Sequence, residues 1–165
     1  LNMLMLRGPK PVLHAHCLGA SANPRLTITS YADDRGGMVW YLGGQVADQG
    51  VGRPPSQQIA AGRAELATLL PWMDLSAARW ATLAVNRAEI ATSDGRRPDD
   101  AFVAANEDVF TCWPTKLAFA PRVADLVISN LHEQDIGPSG DAPGAVTLPA
   151  PPLARLPWEE VTQWS

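Results

Sequence analysis

The sequence predicts an α+β fold: an antiparallel sheet of five or six strands with one covering helix, then a C-terminal strand-turn-helix and an irregular proline-rich tail. Three observations carry this. Short apolar runs separated by Gly and Pro clusters occupy the opening of the chain, as in strands joined by turns. Ile59, Leu66 and Leu70 share one helical face between two proline signals. A later strand, Val109 to Trp113, leads through a tight turn into a second segment of helical spacing that includes Val123, Leu126, Val127 and Leu131.

Met3 to Leu6 reads as the first strand, Val12 to Leu18 as the second, Leu26 to Tyr31 as the third and Met38 to Leu42 as the fourth. Leu26, Ile28 and Ser30 alternate with Thr27, Thr29 and Tyr31, so one face of the sheet should be buried. Asp33-Asp34-Arg35-Gly36-Gly37 is a turn signal that makes a hairpin of the third and fourth strands. Pro54-Pro55-Ser56 opens a helix near 56–71, with Ser56 able to cap it and Pro71 where it should stop. Trp80 to Ile90 reads as a strand, Ser93-Asp94-Gly95 as a turn, and Val109 to Cys112 as a buried strand. Pro121 fits in the first turn of a helix, which places the next helix start near Ala118.

After Gly137 the stretch PSGDAPGAVTLPAPP is too rich in Pro, Gly and Ala to build a core, and reads as a tether or surface-hugging arm. Pro157, Glu159 and Glu160 mark a short helix start, and Trp158 and Trp164 are apolar anchors for docking the tail. The implied organisation is a sheet domain over 1–92, a strand-turn-helix over 93–136 and a tail over 137–165.

The 165 residues suffice for one domain with a core, or a domain with an appendage. Thirteen basic against 17 acidic residues give a net charge of -4 without a basic stripe, which argues against nucleic acid as a partner. No apolar run reaches the ~18 residues of a membrane span. The opening LNMLML soon meets Arg7, Gly8, Pro9 and Lys10 and does not read as a signal peptide. Cys17 and Cys112 stand far apart and do not make a secreted disulfide framework, so the expected setting is cytoplasmic, with reduced thiols. A first residue of Leu suggests a chain cut from something longer.

Several motifs bear on chemistry. His14-Ala15-His16 would put two imidazoles on one strand face. A zinc site needs three or four ligands, and Cys17 would point the other way. A pocket role for His16 and a plain polar place on the sheet both stay open. Gly43, Gly44, Gly50 and Gly52 match neither the dinucleotide fingerprint nor a P-loop, and read as turn glycines. No nucleophile elbow or H-E-x-x-H is present. The acid pairs Asp33-Asp34 and Asp99-Asp100 lie in turn-like contexts. The turn at Trp113-Pro114-Thr115-Lys116-Leu117 precedes a helix, whose unpaired N–H groups and positive potential suit an anion or an electron-rich carbonyl. A simple proline turn is the other reading.

Val109-Phe110-Thr111-Cys112-Trp113-Pro114-Thr115-Lys116, with the helix at Ala120-Pro121, resembles the closing segment of the superfamily that includes D-amino-acid oxidase, glycine oxidase and glycerol-3-phosphate dehydrogenase. Leu1 to Gly44, with His14-Ala15-His16-Cys17-Leu18-Gly19, resembles the substrate-domain sheet of the same proteins. The resemblance covers roughly residues 1 to 131. It implies FAD in a full-length parent and oxidation of a C–N or C–O bond of a small-molecule substrate by hydride transfer. It places Trp113, Pro114, Thr115, Lys116 and Leu117 beside the flavin, and the candidate catalytic residues on the substrate side are Arg87 and His16. The family loop is glycine-rich, whereas here Pro114 removes a backbone N–H. The family's arginine-proline pair is half matched by Arg87-Ala88, and Arg97-Pro98 is a rival placement. Arg87 serves either as a carboxylate clamp or in a surface ion pair. The family's N-terminal dinucleotide fold is not in the chain, so an FAD-binding segment would come from upstream sequence or a partner chain, and the chain alone would not retain FAD. The alternative is a non-catalytic binding or assembly module that presents a sheet surface to a protein partner.

Overall fold

A computed structural model describes residues 1–8, 11–21, 23–33, 35–93, 99–113, 116–138, 140 and 148–165. The chain divides into two compact units, one of Leu1–Arg87 with Pro152–Ser165 and one of Ala88–Pro151.

The first unit is built on β1 (Asn2–Arg7), β2 (Ala15–Cys17), β3 (Leu26–Ala32), β4 (Met38–Gly43) and β5 (Arg79–Ala84). They form one antiparallel sheet in the order β2-β3-β4-β1-β5. The predicted alternation holds. Leu26, Ile28 and Ser30 are buried, and Ile28 faces Leu42 while Leu42 faces Leu4. Trp40, Leu6 and Trp80 lie in the next row of the same face. A helix after β4, α1 (Gln45–Asp48), and the longer α2 (Pro55–Leu69) cover this face through Val46, Ile59 and Leu66. The result is the α+β arrangement expected: a five-stranded antiparallel sheet with a helix packed on it.

Several details depart from the sequence reading. Helix α2 starts at Pro55 with Pro54 in the cap position, so Ser56 lies inside the first turn and caps nothing. Proline at the first helical position loses no hydrogen bond and presets φ, which favours the earlier start. The second strand is limited to three residues. At Leu13 the hydroxyl of Ser30 takes over the pairing, accepting from the Leu13 N–H and donating to the Leu13 carbonyl, both at 2.7 Å. Strand β5 stops at Ala84 instead of running to Ile90: Ala84 faces Asn2, Val85 and Leu1 exchange two backbone bonds, and no strand accompanies it further among the described residues.

Gln58, fully buried on α2, ties the helices to the sheet. Its Nε2 donates to the carbonyls of Asn2 (2.7 Å) and Val46 (3.0 Å), and its Oε1 accepts from Arg53 at 3.1 Å. Buried polar groups persist where such partners exist.

The tail returns to the first unit, as its tryptophans suggested. Trp158, on the short helix α4 (Pro157–Glu160), packs against Met5, Val39 and Ala81, and its ring centre lies 4.9 Å from that of Tyr31. Ser165 and Trp80 exchange two backbone hydrogen bonds, of 2.9 and 2.7 Å, which extends the sheet beyond the outer edge of β5.

The second unit is a hairpin of β6 (Phe102–Asn106) and β7 (Val109–Trp113), a 3-10 turn at Leu117–Phe119 and α3 (Ala120–Glu133). The α-helix begins at Ala120 because the 3-10 turn precedes it, and Pro121 falls in its first turn as predicted. Val123, Leu126, Val127 and Leu131 are the half-buried positions expected for the packed side of α3, which lies on the hairpin. β7 was expected to be buried. Instead Val109 is 63% exposed, and none of the described residues of this unit is fully buried. Two strands and one helix offer too little apolar surface to enclose a side chain.

Candidate functional site

The sheet's second face holds the most coherent group of polar side chains. Residues directly opposite in an antiparallel ladder point to the same side. His16 faces Thr27, which faces Gly43; Thr29 faces Tyr41, which faces Met5. Met3 and Leu83 form the adjoining pair on β1 and β5. Trp158 and Trp164 of the tail cover one end of this face, over Met5, Val39 and Ala81. Toward the other end Met3, Thr27, Thr29 and Tyr41 stay half-buried and His16 is exposed.

Gly43 lies at the centre of that open end. A Cβ there would stand 2.9 Å from both the Met3 methyl and the Thr27 hydroxyl, so a larger residue would make those side chains turn aside. The open end thus offers three hydroxyls, an imidazole and a thioether on a rigid sheet, with no acid or permanent cation among the described residues of that patch. These are neutral hydrogen-bonding groups set beside an apolar thioether.

Burial, and secondarily the nearby Tyr31, push the Tyr41 phenol up from its ordinary 10.0, so it stays a protonated donor throughout the neutral range. Cys17 turns to the opposite, core side, where burial and then Glu65 raise its thiol above 9.0. Both shifts have the same consequence for stability. The unfolded groups release protons first, so the contribution is complete below the unfolded values and is lost as pH rises through the higher folded ones. The melting temperature should begin to fall near pH 9 and decline further above about pH 10, and Tyr41→Phe should blunt the second part of that fall. A melting temperature independent of pH from 8 to 11 would contradict this.

The other sequence candidates lie elsewhere. Arg87 is exposed just past the end of β5. Its rival Arg97-Pro98 falls outside the described residues, as do Pro114, Thr115, Asp34 and the turn at Asp94-Gly95. His14 is exposed ahead of β2. Among the described residues no three His, Cys, Asp or Glu side chains converge on a metal position. Trp113 is half-buried at the end of β7 opposite Phe102. Lys116 is extended at the start of the 3-10 turn: its carbonyl accepts the Phe119 N–H at 2.9 Å, and its Nζ lies 5.6 Å from the centre of the Phe119 ring. Leu117 is 88% exposed. Sequence reasoning singled out His16 but not Tyr41, Thr27 and Thr29 as its companions. The alternation on β3 was visible, but the neighbours of β3 depend on strand order.

No family model matches the chain. Over 162 residues, 96% of its length, it is 51% identical to a probable FAD-dependent oxidoreductase of Pseudomonas aeruginosa, PA4991, of which it spans 41%. The crystal structure of the FAD-dependent oxidoreductase PA4991 superimposes with a TM-score of 0.81 at 49% identity, covering 96% of this chain and 44% of that one. The chain therefore spans less than half the length of the relative it resembles. Among the described residues no helix is long and apolar enough to cross a membrane.

Proposed function

We propose that the chain is the substrate-side part of an FAD-dependent oxidoreductase that oxidises a C–N or C–O bond of a small substrate, of the D-amino-acid oxidase and glycerol-3-phosphate dehydrogenase type. The observation that carries this is the half-open sheet face with His16, Thr27, Thr29 and Tyr41, in a chain half identical to PA4991. On this reading residues 1–92 supply the substrate face, 93–136 complete the flavin-binding domain, and 137–165 tie the tail down.

The donor set suits one edge of a flavin. Lys116 precedes a helical start whose first N–H groups are unpaired within the helix, and both favour negative charge. No sequence fingerprint serves the pyrophosphate, so that half of FAD would be held by another part of the parent. When bound, FAD supplies the hydride acceptor. The chain's own residues then position the substrate: Tyr41 donates a hydrogen bond, Thr27 and Thr29 donate or accept, and Gly43 leaves room between them. His16 stands exposed at the rim of that face. Arg87 is the candidate partner for a substrate carboxylate.

In the full-length parent, Lys116→Met should slow flavin reduction about tenfold in stopped flow, which is the loss of roughly one charge-assisted interaction. An unchanged rate would remove Lys116 from the mechanism. Arg87→Ala with unaltered substrate affinity would dismiss the clamp. A parent that purifies without visible flavin absorbance, and takes up none, would favour the assembly-module reading instead.

A further inference from the structure

Arginines gather where the tail meets the sheet. Arg7 and Arg79 stand directly opposite each other on β1 and β5. Like charges in that position destabilise a ladder unless something offsets them. Asp33 offsets the first: its carboxylate, with 1% of the side chain accessible, lies 2.6 Å from Arg7 Nε. The Arg7 guanidinium is held further by the Trp164 ring, 4.4 Å from its centre, and by the Trp158 carbonyl, which accepts from Nη2 at 3.3 Å. Arg79 donates to a neutral partner, the Trp164 carbonyl, at 3.2 Å.

Arg35, from the β3–β4 turn, and Arg155, from the tail, complete the walls of a cavity of about 530 Å³ that Glu159 and Thr162 also line. Asp33 is paired with Arg7, and Glu159 accepts the Leu156 N–H at 3.0 Å. Four guanidinium groups therefore converge on one cavity in a chain whose net charge is -4. Against the one carboxylate among the lining residues, Glu159, the four guanidinium groups leave the walls with an excess of positive charge, which favours an anion.

We propose that this cavity binds a small dianionic oxyanion, a phosphate either free or as a monoester, between Arg35, Arg79 and Arg155, with Arg7 as a fixed back wall and the Thr162 hydroxyl as a neutral donor. Guanidinium forks fit phosphate oxygens two at a time, and Arg7 is held in place before any ligand arrives. The bound anion would offset the charge of Arg79, which donates to a neutral carbonyl. The site lies wholly within the first unit and rests on no part of the oxidoreductase reading.

The test is calorimetric titration of the 165-residue chain with inorganic phosphate and with phenyl phosphate, at constant ionic strength set by chloride. Saturable binding is expected. Arg35→Gln and Arg155→Gln should each weaken it about tenfold, and Arg155→Lys less, since the charge stays and the fork is lost. Both residues are exposed, so melting in phosphate-free buffer should be the same for all variants. Tighter binding of the ester assigns a phosphorylated ligand, and preference for the inorganic ion assigns free phosphate. No saturable binding of either, or equal binding by the Arg35→Gln/Arg155→Gln double variant, overturns the proposal.

Discussion

Trp158→Ala is expected to lower the unfolding free energy of the first unit by about 4 kcal/mol, in the range for emptying a buried tryptophan site. Trp158 is 3% exposed and packs on Met5, Val39 and Ala81. Its removal also loses the ring contact with Tyr31 and loosens the segment that carries Trp164 and Ser165. Urea denaturation measures the loss, and limited proteolysis should cut within residues 152–165 of the variant while sparing the parent sequence. A loss below about 1 kcal/mol, with the tail still protected, would mean the tail contributes little to the sheet.

Gly44→Val should cost a similar amount, about 4 kcal/mol, by a different route. Gly44 has φ +83° and ψ -157°, a region open essentially to glycine and costly by about 1–3 kcal/mol for other residues. A Cβ there would also lie 2.6 Å from the Pro24 carbonyl oxygen and 3.2 Å from the Leu26 Cα, both backbone that cannot swing aside. Forced overpacking adds about 1–3 kcal/mol. Gly52 provides the control. It has φ +79° but nothing within 4 Å of an added Cβ, so Gly52→Ala should cost only about 1–2 kcal/mol of backbone strain. Equal losses in the two variants would show that the Pro24 contact is irrelevant.

Where one local rule governs a segment, the sequence was a good guide. The alternation in β3, the proline-bounded α2 and the first-turn Pro121 of α3 all follow from neighbours within a few residues. Features set by distant partners were not legible. Gln58 looks like a surface residue of α2 until Asn2 and Val46 present carbonyls to it. The shortness of β2 depends on a hydroxyl at Ser30, and the exposure of β7 on how little the second unit has to pack against it. The candidate site was half visible. His16 was conspicuous as a rare residue type. Its grouping with Tyr41 requires the order β2-β3-β4-β1-β5, which no local pattern encodes. Gly43 and Gly44 both read as turn glycines, yet Gly43 ends a strand under two side chains and Gly44 carries the strain.

The bonds between Ser165 and Trp80 span 85 positions of sequence. During synthesis the sheet's five strands are all made well before residues 152–165. For that interval the outer side of β5 has unsatisfied amides and carbonyls, and Met5, Val39 and Ala81 lack their aromatic cover. The nascent chain is thus most prone to sticking to its neighbours in the interval between the synthesis of β5 and that of residues 152–165.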